Sequence, residues 1–155
     1  MIGTTATTFH RETVEEAGGA IASLAPSHLS EADPREKHHP DPDWDFYQAL
    51  EDTGVLRIYT VRDGSGGLAG YAVLVVRESP HFRGSVRASQ DLLYVQEEFR
   101  SGRLGIEFLG YIEEQLRQEG VEVIHHAAKL SLPALRTILS RLDYTPTEVI
   151  FQKWL

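Results

Sequence analysis

Apolar and polar positions change period several times along the chain. Thr5 to Glu12, rich in Thr and Phe character, predicts a first edge strand. Thr13 follows as an N-cap, with Glu15 and Glu16 in the first turn and apolar residues at helical spacing behind them. Gly18 and Gly19 weaken that helix. Pro26 to Pro42 mixes Pro, Asp, Glu, Lys and His and predicts a loop. Helical periodicity returns from Asp43 to Asp52, with Trp44, Tyr47 and Leu50 near one face, until Gly54 ends it. Val55 to Val61 then alternates, Asp63-Gly64-Ser65-Gly66-Gly67 turns the chain, and Leu68 to Arg77 completes a hairpin. Beyond Ser79-Pro80-His81, Arg87 to Gln96 predicts a further strand. A helix after Arg103 places Gly105, Leu109, Ile112 and Leu116 on one stripe and closes at Gly120. Val121 to Ala128 predicts a strand, Pro133 to Leu142 a helix with Pro in its first turn, and Glu148 to Trp154 a last strand.

That order predicts an α+β domain with a βαβ crossover in its second half. The 155 residues fit one domain, 1–155, with a core of its own. Cysteine is absent, which excludes disulfides, thiolate metal sites and a cysteine nucleophile. The longest apolar runs, such as Ala72 to Val76, have strand length, and no signal-peptide pattern opens the chain. We therefore expect a cytoplasmic protein without a membrane partner. The net charge of −8 argues against a surface built for nucleic acid and is compatible with a cationic acceptor.

The densest chemistry lies at Tyr94 to Leu109, where a strand runs into a glycine-bearing turn and then a helix. Free backbone N–H groups at that helix N-terminus make an anion site, and Arg100 and Arg103 add positive charge. This segment resembles the acetyl-coenzyme A loop of the GNAT N-acetyltransferases, whose usual pattern is Arg/Gln-x-x-Gly-x-Gly/Ala. Here it reads Arg100-x-x-Arg103-x-Gly105, with Gly102 one place before the missing middle glycine. The likeness extends from about Asp43 to the end and is strongest to a subgroup found in phage and prophage genomes. The pieces that carry it are Asp43 to Tyr47, Gly54-Val55-Leu56, Gly70-Tyr71, Pro80-His81-Phe82, Ala88 to Val95 and Glu148 to Lys153.

The resemblance implies the GNAT fold, a mixed central sheet with helices on both faces, and acetyl-coenzyme A as co-substrate. It implies a cofactor site from Leu93 and Val95 through Arg100, Ser101, Gly102, Arg103, Leu104, Gly105 and Ile106. Lys129 stands just after the strand where many relatives carry an Asn facing the cofactor. The strand ending at Val95 would splay from Val121 to Ala128 and admit the cofactor arm. Asp91 matches the region where such enzymes often place a carboxylate base. If the strand is regular, Asp91 shares the face of Val95 and is partly desolvated. The tyrosine that many members use as general acid falls at Leu139.

Trp44, Tyr47 and His81 are candidate acceptor contacts, with core packing as the alternative for the two aromatic residues. His38-His39 with Asp41, Asp43 and Asp45 reads as a solvated loop rather than a metal site, because adjacent histidines in an extended loop point apart. The expected function is acetyl transfer to an amine of a small molecule or peptide. The alternatives are a GNAT-fold protein that binds coenzyme A without turnover and a phage-type acyltransferase acting on modified DNA. A final strand ending at Trp154-Leu155 could pair with a second copy, giving a homodimer.

Overall fold

The computed structural model describes residues 6–155. Thr8–Glu12 forms β1, and Thr5, where this strand was expected to begin, lies outside the described residues. The chain continues through α1 (Val14–Ala32), α2 (Trp44–Asp52), β2 (Leu56–Arg62), β3 (Leu68–Glu78) and β4 (Val86–Val95). A short 3-10 turn at Glu97–Phe99 leads to α3 (Leu104–Gln118), β5 (Val123–His125) and α4 (Pro133–Arg141). The five strands form one sheet in the order β1-β2-β3-β4-β5. All neighbours are antiparallel except β4 and β5, which run parallel across the α3 crossover. The sheet is therefore mixed.

Local signals start each element. Thr13 and Glu16 close a capping box on α1: the Glu16 N–H donates to Thr13 Oγ1 at 3.2 Å and the Thr13 N–H to Glu16 Oε2 at 2.8 Å. Asp43 caps α2 by accepting from the Phe46 N–H at 3.0 Å. Asp63 accepts from the N–H groups of Ser65 and Gly67, which closes the expected hairpin turn.

The helices cover both faces of the sheet. On one face α3 and α4 bury Phe108, Leu109, Ile112, Leu116 and Leu139 against Tyr59, Val61, Ala72 and Leu74. On the other, α1 and α2 pack Val14, Ala17 and Ile21 against Ile58, Tyr71 and Val73, with Trp44, Tyr47 and Leu92 partly buried at the margin.

Three expectations need correction. Pro26 does not end the first helix: α1 runs through it to Ala32. Pro26 lies on the exposed side, while Ile21, Ala25 and His28 continue the buried stripe that holds the helix to the sheet. Packing of that stripe outweighs the one backbone hydrogen bond proline removes. The strand expected over Val121 to Ala128 contracts to Val123–His125, paired only with Arg87–Ser89. Glu148 to Trp154 is not a strand. It finds no strand to pair with, and Val149, Ile150 and Phe151 stand exposed.

Candidate functional site

The site is built around an irregularity in β4. Val73 pairs with Leu92 and Leu74 with Gln90, so Asp91 is an extra residue opposite no partner. This β-bulge shifts the alternation of side chains. Before it Val86 and Ala88 face α3, and after it Leu93 and Val95 do. Leu92 and Tyr94 face α1 and α2. Asp91 turns to the α2 side, where the Tyr47 hydroxyl donates to Asp91 Oδ2 at 2.5 Å. Asp91 is thus exposed and on the face opposite Val95, not partly desolvated beside it. The premise of a regular strand fails at this residue. Burial, followed by the hydrogen bond to the Asp91 carboxylate, pushes the Tyr47 phenol well above its ordinary range.

Beyond Ser89, β4 loses its β5 partner. Only Gln90 reaches across, its Nε2 donating to the Ala127 carbonyl at 3.2 Å while its Oε1 meets His126 Nδ1 at 2.8 Å. Strand pairing ends just before the bulge, so one edge of Leu93 to Val95 has no strand neighbour among the described residues. That edge runs on into the turn before α3.

In that turn Gly102 adopts φ +84°, the left-handed conformation that favours glycine. Arg103 is the N-cap of α3 with φ −104°, which any residue adopts. The left-handed position is thus filled by a glycine, and Arg103 beside it holds a conformation open to any residue. Among the described residues no side chain caps α3: Arg103 makes no capping hydrogen bond, so the first-turn amides have no intrahelical or side-chain acceptor there. Gly105 serves close packing, since a Cβ there would lie 3.2 Å from Ile138 Cδ1 of α4. Leu104 and Ile106 are half-buried, and Ser101 is exposed.

The two arginines behave differently. Arg100 turns back across the sheet, with Nη2 2.7 Å from Glu31 Oε2 and Nε donating to the Val95 carbonyl at 2.7 Å. Its guanidinium also lies over the Tyr94 ring, 5.4 Å from the centroid. Arg103 is exposed, with only a 3.9 Å contact to Glu107. Lys129 is exposed beyond the end of β5.

Between α1, α2 and the sheet lies a cavity of about 160 Å³ whose walls include Ile21, Ala25, Trp44, Ile58, Val73 and Leu92. Trp44 and Tyr47 meet here, their ring centroids 5.6 Å apart. His81 does not: it is exposed in the β3–β4 loop, at the end of β4 remote from the α3 turn. His28, which falls inside the expected loop and was missed, lines the cavity floor. Its Nδ1 is 2.7 Å from the Tyr71 hydroxyl, and its ring stacks on Tyr94 at 4.7 Å. Burial lowers its pKa to about 4, so it stands neutral. The helical spacing Ile21, Ala25, His28 was the signal that could have found it.

Leu139, where the resemblance to GNAT enzymes leads to the expectation of a tyrosine, is buried and offers no proton. Tyr144 lies against His126, with ring centroids 5.2 Å apart.

The fold is that of known acetyltransferases. An aminoglycoside acetyltransferase from an uncultured soil metagenomic sample, in complex with sisomicin, superposes with a TM-score of 0.71 at 17% identity, over 96% of each chain. Ribosomal-protein-alanine N-acetyltransferase from Brucella melitensis biovar Abortus 2308 gives 0.73 at 14% identity, over 97% of this chain and 100% of that one. A predicted acetyltransferase from Clostridium acetobutylicum, with acetyl-CoA, gives 0.74 at 9% identity over 96% of both chains. No protein-family model and no curated protein matches the chain. The likeness at these identities establishes the α+β GNAT fold, with a mixed five-stranded sheet and four helices.

Proposed function

We propose that this chain transfers an acetyl group from acetyl-CoA to an amine. The observation that carries the reading is the coincidence of two openings. β4 parts from β5 beyond Ser89, and the parted edge leads directly into the uncapped N-terminus of α3. A thioester arm can pair with a strand edge while its pyrophosphate rests on helix amides. The donor chemistry fits: the amides of Leu104 to Ile106 would meet a bound anion, Gly102 shapes the turn, and Arg103 supplies exposed charge. Arg100 joins them on exchanging Glu31 for phosphate. Lys129 and Ser101 complete the proposed contacts.

Bound acetyl-CoA supplies the activated acetyl carbonyl. Asp91 is the proposed base, exposed at the point where the strands part, with one carboxylate oxygen held by Tyr47 and the other free for the acceptor's proton, directly or through water. Tyr47 thereby orients the carboxylate. Leu139 leaves the departing thiolate to solvent for its proton. That same leucine favours a second reading, a coenzyme A-binding protein without turnover. Acylation of a modified DNA base, suggested by the phage-type sequence pieces, stands third, against the charge of −8. A homodimer through the exposed Val149 to Phe151 segment is a separate proposal, tested by sedimentation at several concentrations; a monomer throughout refutes it.

Calorimetric titration with acetyl-CoA, with desulfo-CoA and ATP as controls, tests the cofactor site. Micromolar binding selective over ATP supports it, and no binding overturns it. Asp91→Asn should then lower turnover on the order of 10²–10⁴-fold with cofactor affinity near normal. Unchanged turnover removes Asp91 from the mechanism.

A further inference from the structure

The cavity beneath α1 and α2 has a composition that selects what enters it. Eight of its twelve lining residues are apolar, among them Ile21, Ala25, Trp44, Ile58, Val73 and Leu92. Its polar groups are few and mostly engaged: His28 with Tyr71, and Tyr47 with Asp91. At about 160 Å³ it matches the apolar cavities of roughly 150 Å³ that take up benzene. An aminosugar placed there would turn hydroxyls toward aliphatic walls or toward groups already paired, at about 1–3 kcal/mol for each left unsatisfied.

The carboxylates nearest the cavity are opposite in charge to an ammonium. Asp91 does not line the cavity, but it follows Gln90 at the bulge beside the lining residue Leu92, and its carboxylate accepts from the hydroxyl of Tyr47, which does line it. Asp41 is an exposed carboxylate on the lining itself. His28, the imidazole on the lining, is neutral and does not repel a cation.

We infer that the acceptor is a primary amine carried on a compact apolar body, benzene-sized, which seats between α1, α2 and β3 while its nitrogen lies at Asp91. This rests on the acetyl-transfer reading and narrows it. In the step itself the ammonium gives a proton to Asp91, and the freed nitrogen lone pair forms the C–N bond at the thioester carbonyl. The C–S bond breaks, and the thiolate takes up a proton from solvent. The products are an N-substituted acetamide and coenzyme A thiol; the nitrogen's second proton and the one on Asp91 both pass to solvent, which leaves Asp91 ready for the next turnover and one proton released in all.

Binding of 2-phenylethylamine to the full chain, followed by calorimetry and by the fluorescence of Trp44 at the wall, tests the inference apart from turnover. We expect it to bind at least about tenfold tighter than ethylamine or glucosamine, as burial of a ring predicts. Equal or tighter binding of glucosamine or an aminoglycoside overturns it. Ala25→Leu fills the cavity and should weaken 2-phenylethylamine by about tenfold or more while acetyl-CoA affinity holds within about twofold. Undiminished amine binding in that variant also overturns it. Should the added bulk prevent folding, Leu92→Ala decides: an enlarged cavity should shift preference toward 2-(1-naphthyl)ethylamine, and an unshifted preference counts against the site. The two readings fail separately. An amine that binds but is never acetylated refutes transfer and keeps the cavity's assignment, whereas acetylation confined to aminosugars does the reverse.

Discussion

The two faces of the sheet solve different problems. Against α3 and α4, Phe108, Ile112 and Leu116 are wholly buried and lie over Tyr59, Val61 and Leu74. Against α1 and α2, equally apolar strand residues leave a cavity, and three of its polar side chains are held in hydrogen bonds, His28 with Tyr71 and Tyr47 with Asp91. The comparison teaches that one face holds the fold together, while the other gives up packing for an opening beside Asp91.

The same substitution on each face should break or sharpen this difference. Ile112→Ala in α3 removes a side chain enclosed on all sides and should cost toward 5 kcal/mol, the upper end of roughly 2–5 kcal/mol for such truncations. Ile21→Ala in α1, as deeply buried but lining the cavity on one side, should fall near the lower end, about 2 kcal/mol. Urea unfolding measures both, and equal losses would erase the distinction.

Two tyrosines on neighbouring strands make the contrast one of sign. Tyr71 on β3 holds His28, so Tyr71→Phe strands a buried imidazole nitrogen and should destabilise by about 1–3 kcal/mol. Tyr59 on β2 faces α3, and its buried hydroxyl has no partner among the described residues. Tyr59→Phe should therefore be neutral or stabilising by up to about 1 kcal/mol. A loss at both positions would show that the Tyr59 hydroxyl is satisfied by water.

Acid should act on both faces through one histidine each. Burial holds His28 and His126 at a pKa of about 4, below the ordinary 6.5. The unfolded chain then binds these protons first as pH falls, so the stability is whole above pH 6.5 and declines toward pH 4. Each contributes a slope of up to about 1.4 kcal/mol per pH unit in that window. His28→Gln should remove its share, as unfolding curves at stepped pH would reveal; an unaltered slope would mean the ring is already solvated. The smallest effect belongs to Arg100→Ala, which should weaken acetyl-CoA binding by more than about twofold, or roughly 0.4 kcal/mol. A smaller change leaves Arg100 as the partner of Glu31 alone.

Most of the fold was legible because element order, caps and turns are local signals. Thr13 with Glu16, Asp43, the Asp63 turn and Pro133 all stand where the sequence placed them. What escaped depends on contacts distant in sequence. Pro26 concealed the last turns of α1, and with them His28 and Glu31, since only burial against the sheet carries the helix past proline. The length of β5 and the fate of Glu148 to Trp154 depend on which neighbours offer a free edge. The orientation of Asp91 was illegible for the same reason: registry belongs to two strands, and β4 alone does not record it. The glycine turn, by contrast, showed both its departure and the compensating Gly102 in the sequence itself.

The bulge leads to a consequence for insertions and deletions. Because Asp91 is supernumerary, deleting it would return Gln90 and Leu92 to consecutive pairing with Leu74 and Val73. Every later side chain of β4 would keep its present face, Leu93 and Val95 toward α3 and Leu92 and Tyr94 toward α1. A chain one residue shorter should therefore fold with both cores intact, yet lack the carboxylate that Tyr47 holds. The bulge thus makes this one position removable without re-solving the packing of either face, which separates the carboxylate from the architecture around it.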